Sequence, residues 1–341
     1  MNKTVLITGG CGFLGHHMVE HFLRMTDWNI VVLDALTYAG NLRRLEDINN
    51  WVNMKHRVKF IWHDIRSPFS DEIVNRIGRI DYMVHLAAET HVDNSLTDAV
   101  PFVATNVLGT VHLLDYLHKH CKDLEKGIVF STDEVFGSAP EGVYYKEDDP
   151  IKPSNPYAAS KAGQEAVTYS YVHAYNMPIM ITRCMNLFGE RQHPEKFLPK
   201  TIRSVLERDT VTLHGRNSKD TSQRCWIHCR EASDAVLFLL RNGLPKEFYH
   251  IVGEEHSVYD LTQVIYEEIR SVVWKDLNVS PPMIINFVDY HKCRPGHDFR
   301  YAMSGDKLAK LGWKPTFNTI QSLRQAVNWC VQPSNQNWLF L

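Results

Sequence analysis

Three features of the 341-residue sequence predict a doubly wound α/β fold: short apolar runs alternating with helical patterns, a glycine-rich turn between the first run and the first helix, and an acidic residue ending the second run. Strands separated by helices pair through crossovers. That gives a parallel sheet covered on both faces.

Residues 5–8 form the first strand, and residues 13–24 have helical spacing. Further strands are expected at 30–33, 58–61, 82–86, 127–131 and 179–183, with long helices over 101–119 and 156–175. After Arg183 the pattern loosens. Polar and proline-containing segments run from 189 to 223. A helix over 231–242, a strand over 249–252 and a helix over 258–274 follow, and 278–300 reads as loop with one apolar stretch at 283–288. The expected architecture is a Rossmann-type sheet with a smaller, irregular α/β substrate-binding domain on its edge. Residues 1–183, joined by about 225–253, would hold a dinucleotide; residues 184–224 and 254–341 would hold substrate.

With 44% hydrophobic residues and a formal charge of -2, the chain can bury a large core and offers no basic block for nucleic acid. Arg43-Arg44 and the lysines between 119 and 126 read as solvated helix faces. The N-terminus lacks the apolar stretch of a signal peptide, and no run of eighteen apolar residues suggests a membrane span. The seven cysteines are scattered, as reduced thiols of a cytoplasmic protein would be.

Gly9, Gly12 and Gly15 form a GxxGxxG pattern between the first strand and helix. Such a turn lets a pyrophosphate reach the backbone at a helix N-terminus. Asp34 stands about twenty residues on, where a carboxylate accepts both ribose hydroxyls of NAD and repels the 2′-phosphate of NADP. No arginine directly follows it, so NAD is the expected cofactor. Asp64 and Ile65 follow the third strand, where an adenine edge could be read. Ala87 and Ala88 follow the fourth, and their small side chains let a cofactor lie against the backbone.

Tyr157 and Lys161 form Tyr-x-x-x-Lys at a helix start, on one face. An ammonium there favours phenolate, which can take a hydroxyl proton as hydride leaves the same carbon. Ser131 and Thr132 end the fifth strand, and the adjacent Asp133 and Glu134 follow it.

Together these residues resemble the extended short-chain dehydrogenases/reductases and, within them, the NDP-glucose 4,6-dehydratases of dTDP-glucose or UDP-glucose type. The resemblance runs over nearly the whole chain, through residues 33–41, 87–93, 131–137, 155–161, 194–199 and 294–298. Its most specific element is Thr132-Asp133-Glu134. It implies that Glu134 is the base that takes the C5 proton and that Asp133 is the acid that protonates the departing C6 hydroxyl. It also implies cofactor contacts from Phe13, Leu14, Leu36, Thr37, Gly40, Asn106 and Ser131. The sugar nucleotide would meet Asn186, Glu195, Lys196, Leu198, Arg224, Arg294 and His297. His91, Asp93 and Ser95 lie after the fourth strand, where sugar hydroxyls could be met.

Ala35, Asn94, residues 187–191 and residues 225–229 depart from the bacterial dTDP-glucose pattern, which leaves the nucleotide and the hexose open. Cys225, His228 and Cys229 supply only three potential ligands, with no second Cys/His pair at zinc spacing, so no metal is expected. The resemblance implies a homodimer through the helices at 101–119 and 156–175. A sugar-nucleotide 4-epimerase or UDP-glucuronate decarboxylase would share NAD, Tyr157 and Lys161 without needing both acids. A non-catalytic NAD-binding protein would need none of the catalytic set.

Overall fold

The computed structural model describes residues 2–276, 280–289 and 300–340. Its strands are β1 (Thr4–Thr8), β2 (Asn29–Asp34), β3 (Val58–Trp62), β4 (Tyr82–His85), β5 (Lys126–Thr132), β6 (Ile179–Cys184), β7 (Asn186–Phe188), β8 (Val211–Asn217), β9 (Asp220–Thr221), β10 (Gln223–His228), β11 (Phe248–Ile251), β12 (Glu254–Ser257) and β13 (Ile285–Val288). Seven of them pair in the order β11-β6-β5-β4-β1-β2-β3, all parallel. The winding reverses between β1 and β4, and there a crevice opens beyond the carboxyl ends of the strands.

Successive residues of a strand face opposite sides. Val5, Ile7, Ile30, Val32 and Ile128 therefore join one core cluster, and Leu6, Val31, Leu33 and Val129 join the other. The first is covered by helix α1 (Phe13–Met25) and the helix Cys229–Asn242; the second lies under the helix Gly109–His120.

Two helices expected from the sequence carry the site. Pro156–Tyr175 begins at Asn155, whose side chain accepts from the Ala158 N–H, with Pro156 in the first turn. It ends at Asn176 in the left-handed region. The helix over 101–119 is less regular than expected. A π-helical segment, Val103–Leu108, interrupts it before Gly109–His120. The wider turn lets Asn106 reach two neighbours: its Nδ2 donates to the Glu89 carbonyl at 3.0 Å and to Ser160 Oγ at 2.8 Å. By length and composition, Val100–His120 could cross a membrane, but 44% of its apolar window is buried inside the protein.

The stretch 189–223, where the sequence shows only polar and proline-containing segments, holds structure. Helix Phe197–Glu207 and strands β8 and β9 lie within it. Pro199 concealed the helix, yet it sits in the first turn, where no intrahelical N–H bond is lost. Two small sheets, β12-β10-β7 and β13-β8-β9, pack with the helices Phe197–Glu207, Val258–Val272 and Thr319–Cys330 around a third core.

Arg183 of β6 ties the main sheet to the Pro156–Tyr175 helix. Its Nε and Nη2 donate to the two carboxylate oxygens of Glu165 at 2.9 and 2.8 Å, and Nη1 donates to the Glu147 carbonyl. Both partners are buried. Removing one member of such a pair strands the other's charge, at a cost of about 3 kcal/mol. Glu165→Gln is therefore expected to lower the thermal unfolding midpoint clearly; an unchanged midpoint would show that the pair does not anchor this helix.

Candidate active site

A cavity of about 420 Å³ runs across the crevice, from the glycine turn past Asp34 to Ser131, Thr132, Asp133, Glu134, Tyr157 and Lys161, and on to Asn186, Glu195 and Lys196. It lies where the reversal of strand order places a ligand.

At one end, Gly9 has φ +71°, and a Cβ on it would meet the Ala87 nitrogen at 2.8 Å. A Cβ on Gly15 would stand 2.0 Å from the Gly9 carbonyl oxygen. No side chain caps α1, and its first turn carries no acidic residue, so its N–H groups remain available to an anion. Asp34 closes this end. Its Oδ2 accepts from the Cys11 N–H at 2.9 Å and its Oδ1 from the Leu36 N–H at 2.8 Å, and these bonds oppose the upward push of burial on its pKa. The cradle and the oriented carboxylate fit a dinucleotide with free ribose hydroxyls.

Arg44, read as part of a solvated face, is buried. Its Nε donates to the Arg191 carbonyl at 3.1 Å, and Nη1 donates to the carbonyls of Cys11 at 3.2 Å and Ala39 at 2.5 Å. Its guanidinium lies over the Trp338 ring. Burial lowers its pKa to about 10, opposed by the charge of Asp34. With these backbone partners it braces the Asp34 loop. Asp64 is engaged by Arg66, which donates to both of its oxygens.

At the other end, Thr132 caps the short turn Asp133–Phe136, and this turn brings two consecutive carboxylates to the cavity. They meet different surroundings. Asp133 is buried: Oδ1 accepts from Thr132 Oγ1 at 2.9 Å, and Oδ2 has no hydrogen-bond partner among the described residues. Burial first, and then the neighbouring Glu134, push its pKa up to about 7. Glu134 is also raised by burial, but Arg224, Asn155 and Tyr301 hold it down. Asn155 Nδ2 and the Tyr301 hydroxyl donate to its Oε2 at 3.4 and 3.3 Å. The sequence marked Asn155 only as part of a matching segment, and Tyr301 not at all.

Tyr157 and Lys161 share the cavity. Burial and then Glu134 push the Tyr157 pKa up, with a Thr132 hydrogen bond opposing. Lys161 Nζ donates to the Phe130 carbonyl at 2.6 Å and to Gln164 Oε1. Desolvation lowers its pKa to about 7, opposed by Glu165.

Other expected residues lie nearby. Glu195 stands among His91 at 3.7 Å, His193 at 3.7 Å and Lys196 at 3.6 Å. Ser95 is buried behind the cavity, where its Oγ accepts from the Tyr157 N–H. Leu198 is packed in the third core rather than on the cavity wall. Arg224 is buried with its guanidinium 4.5 Å from the Tyr301 ring centroid. Arg294 and His297 lie outside the described residues. The cluster weighed as a metal set disperses: Cys225 packs with Val135 and Phe136, Cys229 Sγ donates to the Phe188 carbonyl, and His228 Nδ1 accepts from the Arg230 N–H. Among the described residues no group of three potential ligands is close enough for a metal.

A family model described as GDP-mannose 4,6 dehydratase matches residues 6–326. The low-salt glycan biosynthesis protein Agl12 of Haloferax volcanii is 37% identical over 326 residues, spanning 95% of this chain and 97% of its own. The dTDP-D-glucose 4,6-dehydratase of Homo sapiens is 35% identical over 338 residues, spanning 98% and 92%. Among solved structures, the dTDP-glucose 4,6-dehydratase DesIV of Streptomyces venezuelae, with NAD and TYD bound, superposes with a TM-score of 0.84 at 34% identity over 98% of both chains.

A carboxyl held protonated by its surroundings destabilises the fold when it ionises. The raised Asp133 pKa leaves stability intact below the unfolded value near 4, and stability is lost as pH rises from there towards 7. Asp133→Asn is expected to raise the unfolding midpoint at pH 8 and leave it unchanged at about pH 4. Equal midpoints at both pH values would refute the raised pKa.

Proposed function

The chain belongs to the GDP-mannose 4,6-dehydratase family of extended short-chain dehydrogenases/reductases, and we propose that it catalyses the NAD-dependent 4,6-dehydration of dTDP-glucose to the 4-keto-6-deoxy sugar nucleotide. It is a hydro-lyase. The observation that carries this reading is the pair Asp133 and Glu134, adjacent in sequence and in one cavity with Tyr157, yet held in different electrostatic surroundings.

NAD supplies the oxidant that takes hydride from C4 and the hydride later returned to C6. Gly9, Gly12, Phe13, Leu14 and Gly15 would hold its pyrophosphate, and Asp34 its adenosine ribose, with Leu36, Thr37, Gly40, Asp64, Ile65, Ala87, Ala88, Asn106 and Ser131 around them. Tyr157, its phenolate favoured by the Lys161 ammonium on the same helix face, takes the C4 hydroxyl proton as hydride leaves. Thr132 holds both Tyr157 and Asp133 in register for this step. The C4 ketone acidifies the C5 proton. Glu134, kept ionisable by Arg224, Asn155 and Tyr301, removes it, and returns a proton to C5 when hydride is delivered to C6. Asp133, whose partnerless oxygen can carry a proton near neutrality, gives that proton to the departing C6 hydroxyl. The two acids thus divide the work because their environments separate their proton affinities.

Residues 1–183 with about 225–253 serve the cofactor in this reading, and 184–224 with 254–341 serve the sugar nucleotide. Two observations support that division: β11 joins the main sheet, and the helix Cys229–Asn242 packs on α1, although β10 pairs within a small sheet. Sugar hydroxyls would meet His91, while Ser95 supports the Tyr157 backbone from behind. The diphosphate and base would meet Asn186, Glu195, Lys196 and Arg224. The reducing cytoplasm is the proposed setting, since the described cysteines are free thiols. A homodimer through the paired helices is supported by Val100, Val103, Leu108, Tyr169 and Tyr175, which leave apolar surface exposed there. Sedimentation at micromolar concentration should give twice the chain mass; the mass of one chain would refute the dimer.

Glu134→Gln tests the base. C4 oxidation, seen as NADH absorbance on mixing, should survive, while exchange of the C5 proton with solvent falls by about 10²–10⁴-fold. Exchange at the unsubstituted rate would remove Glu134 from the mechanism.

A further inference from the structure

A row of buried polar side chains runs from Lys161 away from the cavity. Gln164 Nε2 donates to Thr110 Oγ1 at 3.0 Å. His85 Nε2 lies 2.9 Å from the same oxygen, and His85 Nδ1 lies 2.7 Å from Thr8 Oγ1. Thr110 Oγ1 donates to the Asn106 carbonyl at 2.6 Å. Thr8 Oγ1 accepts from the N–H groups of Leu86 and Ala87, each at 3.2 Å. Thr8, His85, Thr110 and Gln164 are each fully buried.

The direction of every bond in this row can be fixed. Ammonium only donates, so Gln164 must turn Oε1 to Lys161 and Nε2 to Thr110. The single proton of Thr110 goes to Asn106, so its two lone pairs receive Gln164 Nε2–H and His85 Nε2–H. His85 therefore carries its proton on Nε2. Thr8 Oγ1 accepts from the Ala87 N–H and shares the Leu86 N–H with the Thr8 carbonyl, and its hydroxyl donates to the unprotonated Nδ1 of His85. With the Thr8 hydroxyl donating to Nδ1, the row as directed holds His85 neutral. Burial and the charge of Lys161 disfavour a second proton on it as well.

We propose that Gln164 is a positioning residue for the dehydration: anchored through Thr110, neutral His85 and Thr8, its amide oxygen fixes the Lys161 ammonium beside Tyr157. The role rests on the reading of Tyr157 and Lys161 given above. The Phe130 carbonyl and Gln164 take two of the three ammonium protons, leaving one for the cavity. The other titratable groups around Lys161 are Tyr157 and Glu165 on its own helix, Asp133 and Glu134 beyond β5, His85 on β4 and Cys184 on β6; Arg183 answers the charge of Glu165. Gln164 is the side chain that accepts from the ammonium and it does not line the cavity, so substitution there changes the support of the ammonium without touching substrate.

The test titrates Lys161 directly, by carbon-13 NMR of labelled lysine in the NAD-loaded protein, with Lys161→Arg to assign the signal. Gln164→Leu removes an acceptor from the charged form and should lower the Lys161 pKa by about one unit or more. Gln164→Glu places an anion there and should raise it by a similar amount. The alkaline limb of the kcat/KM profile should move with it, in opposite directions for the two variants. If the leucine variant does not fold, the glutamate shift decides alone. An unmoved Lys161 titration in the variants overturns the proposal. If the titration moves and the kinetic limb does not, Gln164 still positions Lys161, and the assigned role of Lys161 in turnover is what fails.

Discussion

Two carboxylates adjacent in sequence, Asp133 and Glu134, are withdrawn from bulk water at the end of β5, and much of the surrounding structure bears on that constraint. Neither burial nor proximity alone would make them useful, since both effects raise the pKa of either group. What separates them is the hydrogen-bond donors each receives. Asp133 has the Thr132 hydroxyl on one oxygen and no partner on the other. Glu134 has Asn155, Tyr301 and the charge of Arg224. Asn155 also caps the helix that carries Tyr157 and Lys161, so one residue fixes both the helix start and the base.

The parallel sheet makes this arrangement possible. Reversal of winding between β1 and β4 opens one crevice, and the glycine turn after β1, the acids after β5 and the helix Pro156–Tyr175 all face it. Arg183 and Glu165 hold that helix to the sheet. The Lys161–Gln164–Thr110–His85–Thr8 row runs beneath it to the backbone beside Gly9. Chemistry at one end of the cavity is thus joined to the cofactor cradle by a continuous row of buried, hydrogen-bonded groups.

Local patterns were legible in the sequence. The GxxGxxG turn, Asp34 at a strand end, and Tyr157 with Lys161 on one helix face each depend on spacing within a single element, and each stands in the cavity wall. What escaped was long-range. Arg44 reads as a surface residue because its partners, Arg191 and Trp338, are far along the chain. Tyr301 reaches Glu134 across 167 positions. The π-helical turn at Asn106 leaves no mark in an apolar pattern counted at the α-helical period, and Pro199 hid a helix by standing where a helix tolerates it. Spacing shows that Tyr157 and Lys161 share a helix face, but not the burial and the Glu134 charge that push the Tyr157 pKa up.

The central claim is that one cavity oxidises C4, eliminates water across C5 and C6, and returns the same hydride to C6. The most direct measurement follows dTDP-glucose carrying deuterium at C4, incubated with the NAD-loaded protein, by mass spectrometry and NMR of the product. A product lighter by one water, with the deuterium at C6, is the predicted result. Recovery of intact sugar epimerised at C4, or of a dehydrated product with the deuterium lost to solvent, would contradict the account.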